Sequence, residues 1–233
     1  MIAPTQNKHA GYSSTYHDKK AAQYYQKKFS RSLSSRVSSA REKLLVAKAL
    51  RAAGRLAGQK TKDLTILDYP CGAGRFATLL ASRTAGYYAG DHSPHMVELA
   101  AQTLSDHGMA DSLLGTTVGD IKANTLADSS VDLAASIRLL HHFPDRADRI
   151  AILSELRRVC KGQLITTFID ANSIKQRLYQ WKRKRTGKPC TRVILTVPQF
   201  TEEARQAGWK YVRSWSLASL SSGLRIALLT PDN

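Results

Sequence analysis

The chain has 233 residues, 42% of them hydrophobic, a net charge of +17 and three cysteines. That length supports one domain with a sizeable core, while no apolar run of roughly 18 residues and no apolar leader marks it for insertion into or export across a membrane. Cys71, Cys160 and Cys190 show no paired spacing, which argues against a disulfide framework and a zinc site, so a cytoplasmic enzyme is expected.

Residues 1–17 read as a polar arm, Asp18 to Phe29 as a helix with Tyr24 and Tyr25, and Ser30 to Ser35 as a serine-rich hinge. A longer helix then runs to about Gly58. Its Leu45, Ala49, Ala52, Ala53 and Leu56 recur at helical spacing, which predicts one face packed on a sheet. Leu64–Tyr69 reads as a short buried strand carrying an acid, Asp68, at its end. A turn with Gly72 and Gly74 follows, then a helix over Arg75–Arg83. Glycine lacks a Cβ, so this backbone can turn sharply and lie against a ligand, with the helix presenting its free N–H groups to the turn. Beyond it come Tyr87–Asp91, Pro94–His107, Leu113–Val118, Val131–Ile137, Asp145–Cys160 and Gln163–Ile169, strand and helix by turns. This alternation predicts a doubly wound, mostly parallel α/β sheet. Ser173–Arg185 reads as a strongly basic helix with Tyr179 and Trp181, Pro198–Ala207 as a helix capped by Gly208, and Trp209–Leu217 with Leu224–Thr230 as a closing hairpin.

Asp68, at the carboxyl end of a strand in such a sheet, stands where open α/β folds place ligands. Two nucleoside cofactors compete for the turn. Gly72-Ala-Gly-Arg-Phe-Ala77 satisfies the dinucleotide pattern G-x-G-x-x-G/A, with Asp91 19 residues after Gly72. Three features weigh against NAD. Asp68 would face a pyrophosphate unfavourably, yet it could accept a hydrogen bond from a cationic amino group. Asp120, ending the Leu113–Val118 run, has no use in a dinucleotide site. Tyr16 and Tyr24, each with a lysine four residues on, precede the glycine turn, the wrong order for a short-chain dehydrogenase.

The motifs together resemble the class I S-adenosylmethionine-dependent methyltransferases, closest to the small-molecule "type 11" branch, over about Leu64 to Ile165. Ile66-Leu-Asp-Tyr-Pro-Cys-Gly-Ala-Gly-Arg75 is similar to the family's first motif. Gly90-Asp-His-Ser-Pro-His-Met96 resembles the second, whose acid holds the ribose hydroxyls, and Val118-Gly-Asp120 the third, whose acid meets the adenine amino group. Ser136-Ile-Arg-Leu-Leu-His-His-Phe-Pro-Asp145 and Leu156-Arg-Arg-Val-Cys-Lys-Gly162 resemble the segments after strand four and before strand five. The resemblance implies a seven-stranded Rossmann-like sheet with helices on both faces and an antiparallel C-terminal hairpin. It further implies S-adenosyl-L-methionine as cofactor, held by Asp68, Pro70, Cys71, Gly72, Gly74, Arg75, Asp91, His92, Met96, Asp120 and Ile121. Pro70 departs from the pattern, which has glycine there. Since proline fixes φ near −65°, a tighter turn or a differently held methionine carboxylate is expected.

Charge is segregated. Residues 1–60 hold 13 Lys/Arg and two acids, residues 61–150 hold 7 against 11, and residues 157–192 hold 11 against one. The basic stretches, 1–60 as a cap and 171–192 as an insertion in a methyltransferase domain spanning 61–233, would cover the acceptor side in the resembling fold. A small-molecule or lipid-linked anionic acceptor is therefore expected, steered by that field. At the anionic inner face of the membrane, Lys175, Arg177, Lys182, Arg183, Lys184, Arg185 and Lys188 would give peripheral contact. Arg138 interrupts an apolar run, where a cation needs an anionic partner, either the acceptor or a structural acid. His141 and His142 are candidate general bases, should the nucleophile have to lose a proton, or order the Phe143-Pro144 turn. Tyr16 and Tyr24 are candidates to close over the sulfonium, or to anchor a helix. An RNA methyltransferase using the basic stretches for phosphates, and a catalytically silent cofactor-binding module, stay open.

Overall fold

A computed structural model describes residues 33–187, 192–218 and 222–232. In chain order it contains α1 (Leu33–Ala57), β1 (Thr65–Asp68), α2 (Ala77–Ala81), β2 (Gly86–Asp91), α3 (Pro94–Asp106) and β3 (Leu113–Val118). Then follow β4 (Leu133–Ser136), α4 (Arg146–Val159), β5 (Leu164–Ile169), α5 (Ile174–Thr186), α6 (Val197–Gln206), β6 (Trp209–Ala218) and β7 (Ser222–Pro231). The expected polar arm with Tyr16, the expected helix with Tyr24, and Lys188 and Cys190 lie outside the described residues. No helix among the described residues is long and apolar enough to cross a membrane.

The seven strands form one sheet in the order β3-β2-β1-β4-β5-β7-β6. β1 to β5 pair in parallel, β7 runs antiparallel to β5, and β6 antiparallel to β7. The order runs outward through β2 and β3 on one side of β1 and through β4 and β5 on the other. Connections therefore leave in opposite directions between β1 and β4, which opens a crevice beyond their carboxyl ends.

Residues alternate between two cores, as the two-residue period of a strand requires. Ile66, Tyr87, Ile165 and Ile226 face α1, α2 and α3, meeting Val46, Leu50, Leu80 and Leu104. Leu67, Ala134, Leu164 and Phe168 face α4 and α6, meeting Ile152, Leu156 and Phe200. Phe168 and Phe200 stack with ring centroids 4.2 Å apart.

Two expectations are corrected. On α1, Ala49 and Ala53 enter the core with Glu42, Val46 and Leu50, and Leu45 and Ala52 pack against it as expected, but Leu56, placed on the same face, is exposed. The helix expected over Arg75–Arg83 is only the five-residue α2, because residues 72–76 are spent in turns. A helix so short has little dipole to offer, so the ligand-holding argument passes from the helix end to the turn itself.

Candidate functional site

The site is built from the three strand ends on one side of the crevice. Gly72 and Gly74 have φ of 52° and 74°, a region that disfavours any side chain. A Cβ on Gly74 would lie 2.9 Å from the Cα of Ala100, so this glycine also lets the turn rest directly on α3. The turn is pinned to β2 in two places. Cys71 N–H donates to the Gly90 carbonyl at 2.7 Å, and Gly72 N–H donates to Oδ2 of Asp91 at 2.9 Å. Oδ1 of Asp91 accepts from the Ser93 N–H at 3.0 Å.

Pro70 follows a cis Tyr69–Pro70 peptide. Tyr69 is the site residue that sequence reasoning passed over. Its ring covers Gly90, where a Cβ would come within 2.2 Å of it, and its hydroxyl donates to the Gly119 carbonyl at 2.5 Å. Gly119 N–H donates in turn to the Asp91 carbonyl at 3.1 Å. The ends of β1, β2 and β3, bearing Asp68, Asp91 and, just beyond β3, Asp120, are thus one hydrogen-bonded unit. The available signal was an aromatic residue in a motif position next to a proline, opposite a glycine in the second motif.

Asp68 is 1% exposed. Its Oδ2 accepts from the Tyr87 hydroxyl at 2.9 Å, while Oδ1 has no hydrogen-bond partner among the described residues. Burial pushes this carboxyl up to about 7; the Tyr87 hydroxyl opposes the shift and the charge of Asp91 adds to it. A buried carboxylate oxygen at a strand's carboxyl end with nothing to accept from wants a donor. Burial likewise raises Asp91, against its backbone N–H bonds. Asp120 is open to solvent, with Oδ1 accepting from Lys122 N–H at 3.0 Å. His92 is exposed, Met96 is buried against Ala73 of the turn, and Ile121 is buried beside Tyr69. The Cys71 thiol is buried and raised well above its ordinary value, first by burial, so it serves as packing.

Arg75 and Arg138, given separate roles by their motifs, meet on one carboxylate that the motifs do not include. Glu42 of α1 is fully buried. Arg138 grips it in fork fashion, Nε to Oε1 at 2.9 Å and Nη2 to Oε2 at 2.8 Å, and Arg75 Nη2 reaches Oε2 at 2.5 Å. Arg138 has φ of 64°, a costly conformation for a residue with a side chain, and its N–H donates to Thr167 Oγ1 at 2.6 Å. Of the two partners expected for Arg138, the observed one is the structural acid. A signal was present, since Glu42 is one of only two acids in residues 1–60 and falls in phase with the apolar stripe.

His141 and His142 stand in a 3-10 turn, Leu140–His142, beyond β4. Their ring centroids are 4.1 Å apart. Burial, and then neighbouring positive charge, lowers them to about 3 and about 4, so both rings are neutral at pH 7. Ordering of the Phe143-Pro144 turn falls to Arg149, which donates to the Phe143 and Pro144 carbonyls at 2.8 and 2.9 Å and pairs with buried Glu203 of α6.

Residues 66–163 match the model of a methyltransferase domain family. No curated protein matches the chain. Among solved structures, magnesium protoporphyrin IX methyltransferase from Synechocystis PCC 6803 with bound SAM is similar over 99% of this chain and 100% of its own, at 14% identity and a TM-score of 0.71. A putative sarcosine dimethylglycine methyltransferase from Galdieria sulphuraria is similar over 81% of this chain and 86% of its own, at 16% identity and a TM-score of 0.61. The [4+2]-cyclase SpnF is similar over 80% and 79%, at 15% identity and a TM-score of 0.61. These similarities establish a Rossmann-like fold shared with methyltransferases, within which residues 66–163 match a methyltransferase domain.

Proposed function

We propose that this enzyme methylates a small-molecule or lipid-linked acceptor through an oxygen that is already anionic. The observation that supports this reading is the positive charge gathered around the buried histidine pair. Burial and the neighbouring Arg192 and Arg138 lower His141 and His142 to about 3 and about 4, which disfavours either ring as the base for an alcohol or ammonium acceptor. An acceptor that arrives ionised, of the carboxylate class, needs no base. Arg138 and Arg192 supply the positive charge felt at both rings, and the basic stretches steer anions towards this side. The magnesium porphyrin named for the Synechocystis enzyme is a precedent for a small-molecule acceptor on this fold.

The unpartnered Asp68 oxygen and the two positive-φ glycines fit S-adenosylmethionine. In this reading Asp68 accepts from its ammonium group, the backbone of the turn through Cys71, Gly72 and Gly74 lies along its methionine part, and Asp91 accepts from the ribose hydroxyls. Met96 and Ile121 bound the adenine, and Asp120 accepts from its amino group. Pro70, Arg75 and His92 shape the rim. The cofactor supplies a methyl group on a sulfonium, activated for in-line displacement. The chain contributes alignment and exclusion of water, worth up to about 7–11 kcal/mol in the best cases. Tyr16 and Tyr24 remain proposed as residues closing over that site.

An enzyme fed cofactor labelled in the methyl group, with extracts fractionated into RNA, protein, lipid and acidic metabolites, tests the acceptor. The label is expected in the lipid or acidic small-molecule fraction and is expected to leave as methanol in mild alkali, as a methyl ester does. Label in RNA, or an alkali-stable product, overturns the reading.

Asp68 adds a pH prediction. Its carboxyl titrates at about 7 in the folded protein and 3.8 ordinarily. The folded state thus binds the extra proton, and the Asp68 contribution to the cofactor-free protein's stability falls as pH rises from about 4 to 7, then levels. Cofactor affinity moves the other way, because only the carboxylate pairs with an ammonium. From pH 6 to 8 its ionised fraction rises about tenfold, and calorimetric affinity is expected to rise about tenfold with it. Asp68→Asn should flatten the profile; a flat profile in the unaltered protein would remove Asp68 from the cofactor.

A further inference from the structure

Helix α5 is built inside out. Its outward residues include Ile174, Leu178 and Trp181, which are 50%, 61% and 57% exposed, while the side it turns towards the domain carries Gln176, Tyr179, Gln180 and Arg183. Gln180 Nε2 donates to the Ala171 carbonyl at 3.3 Å, and the Ser173 side chain caps the helix by accepting from Gln176 N–H. A Cβ on Gly223 would lie 2.6 Å from Cγ of Gln176 and 2.8 Å from Oγ of Ser173. The polar face is therefore seated on β7 at its Ser173 and Gln176 end, which leaves the large apolar residues on the outer side. A helix that only needed solubility would show the opposite arrangement.

At 3.6 residues per turn, Ile174, Leu178 and Trp181 fall within about 60° of one another around the axis. Lys175 and Lys182 flank that stripe on one side, Arg177 and Lys184 on the other, and Arg185 lies in line with it. All of these are exposed. The Arg185 guanidinium sits over the Trp181 ring, 4.7 Å from its centroid. A narrow apolar stripe with a tryptophan, edged by cations on both sides and with no acid anywhere on the helix, matches the chemistry of a phospholipid interface. Its side chains reach the acyl boundary and its cations meet anionic headgroups.

We propose that α5 is an interfacial helix that docks the enzyme on an anionic bilayer surface by inserting Ile174, Leu178 and Trp181. The surface stands on its own exposure and charges. Only its purpose, presenting a lipid-linked acceptor, rests on the function proposed above. The route is short, because α5 follows β5 through Asp170–Ser173 and β5 ends on the sheet edge that carries the crevice. Each cation near an anionic leaflet strengthens binding about fivefold, so the cations bring the helix in and the apolar stripe retains it when salt screens them.

The test uses the full chain and vesicles of equimolar phosphatidylcholine and phosphatidylglycerol, with phosphatidylcholine alone as comparison. Of the three tryptophans, Trp209 and Trp215 are buried in the core, so a shift of emission to shorter wavelength on vesicle addition reports Trp181. The shift is expected with the anionic vesicles and is expected to vanish in Trp181→Phe. The triple variant Ile174→Ser, Leu178→Ser, Trp181→Ser should melt like its parent, since the three side chains face outward, and bind vesicles on the order of 100-fold more weakly. Vesicle binding without an emission shift, or undiminished in the triple variant, would overturn insertion and leave charge alone. A vesicle-independent shift with doubled mass would give the stripe to a second copy of this chain. Single-stranded RNA displacing the protein from vesicles, with affinity falling steeply in salt, would give it to nucleic acid. None of these outcomes bears on methyl transfer to a soluble acceptor, which the labelling experiment tests separately.

Discussion

Glu42→Ala is expected to cost about 3 kcal/mol of stability, which for a chain of this size is a fall of roughly 6–12 °C in melting temperature. Glu42 is fully buried and is the shared anion of Arg75 and Arg138. Removing it leaves two guanidinium groups side by side in a partly desolvated site, where the penalty is loss of their partner plus their mutual repulsion. Glu42→Gln keeps the shape and one acceptor but no charge, and should fall between the two. Burial raises the Glu42 carboxyl, but Arg138 and Arg75 more than offset it, and the net shift is downward from 4.5. A carboxyl with a lowered folded value contributes stability that is fully present above its ordinary range and lost as pH falls through the folded value. The difference between the unaltered protein and Glu42→Ala should therefore hold steady from pH 6 to 8 and shrink in acid. A melting shift of less than 2 °C at pH 7 would show that the triad contributes specificity of packing and not stability. Because Arg75 leaves the glycine turn directly, calorimetry should also find weaker cofactor binding in the same variant.

How far such a site can be read in advance depends on the range of the interaction. The glycine turn and the strand-end acids were legible because their chemistry is local. Gly72 and Gly74 need positive φ, and Asp68 closes an apolar strand, so each leaves its mark within a few residues. The two-sided burial of β1, β4 and β5 was legible for the same reason, as continuous apolar runs. What escaped is what joins distant segments. Glu42 and Arg138 are 96 positions apart, and Tyr69 reaches Gly119 across 50. No periodicity marks such pairs, although an acid on an apolar helix face and an arginine in an apolar strand end each announce that a partner exists. The core-facing side of α1 was legible too, as apolar residues at helical spacing, and of its five expected positions only Leu56 is exposed. The outward stripe of α5 was invisible beneath the helix's six basic residues. Composition suggested a cationic surface, and only the seating of Gln176 on β7 and of Gln180 on the Ala171 carbonyl shows which side faces out.

Asp91→Ala is expected to weaken S-adenosylmethionine binding by about 100-fold or more in calorimetry at pH 7. In the cofactor-free protein this carboxylate holds the Gly72 and Ser93 N–H groups, at 2.9 and 3.0 Å, and hydrogen bonds to a charged acceptor are worth about 1.5–3 kcal/mol each. Its loss frees the turn that carries the methionine side of the proposed site and removes the acceptor proposed for the ribose. Two separate costs fall on one ligand, and about 2.7 kcal/mol together already reaches 100-fold. The substitution also strands both N–H groups in a site 8% exposed, so some stability is lost as well. Asp91→Asn separates the two roles. Its side-chain oxygen can still accept from Gly72, which preserves the turn, whereas the charge and the second acceptor are gone. If Asp91 meets the ribose, Asn keeps most of the melting temperature and still loses about tenfold in affinity. If its work is confined to the turn, Asn restores both together, and the ribose must be held elsewhere on the loops that Tyr69 ties to Gly119.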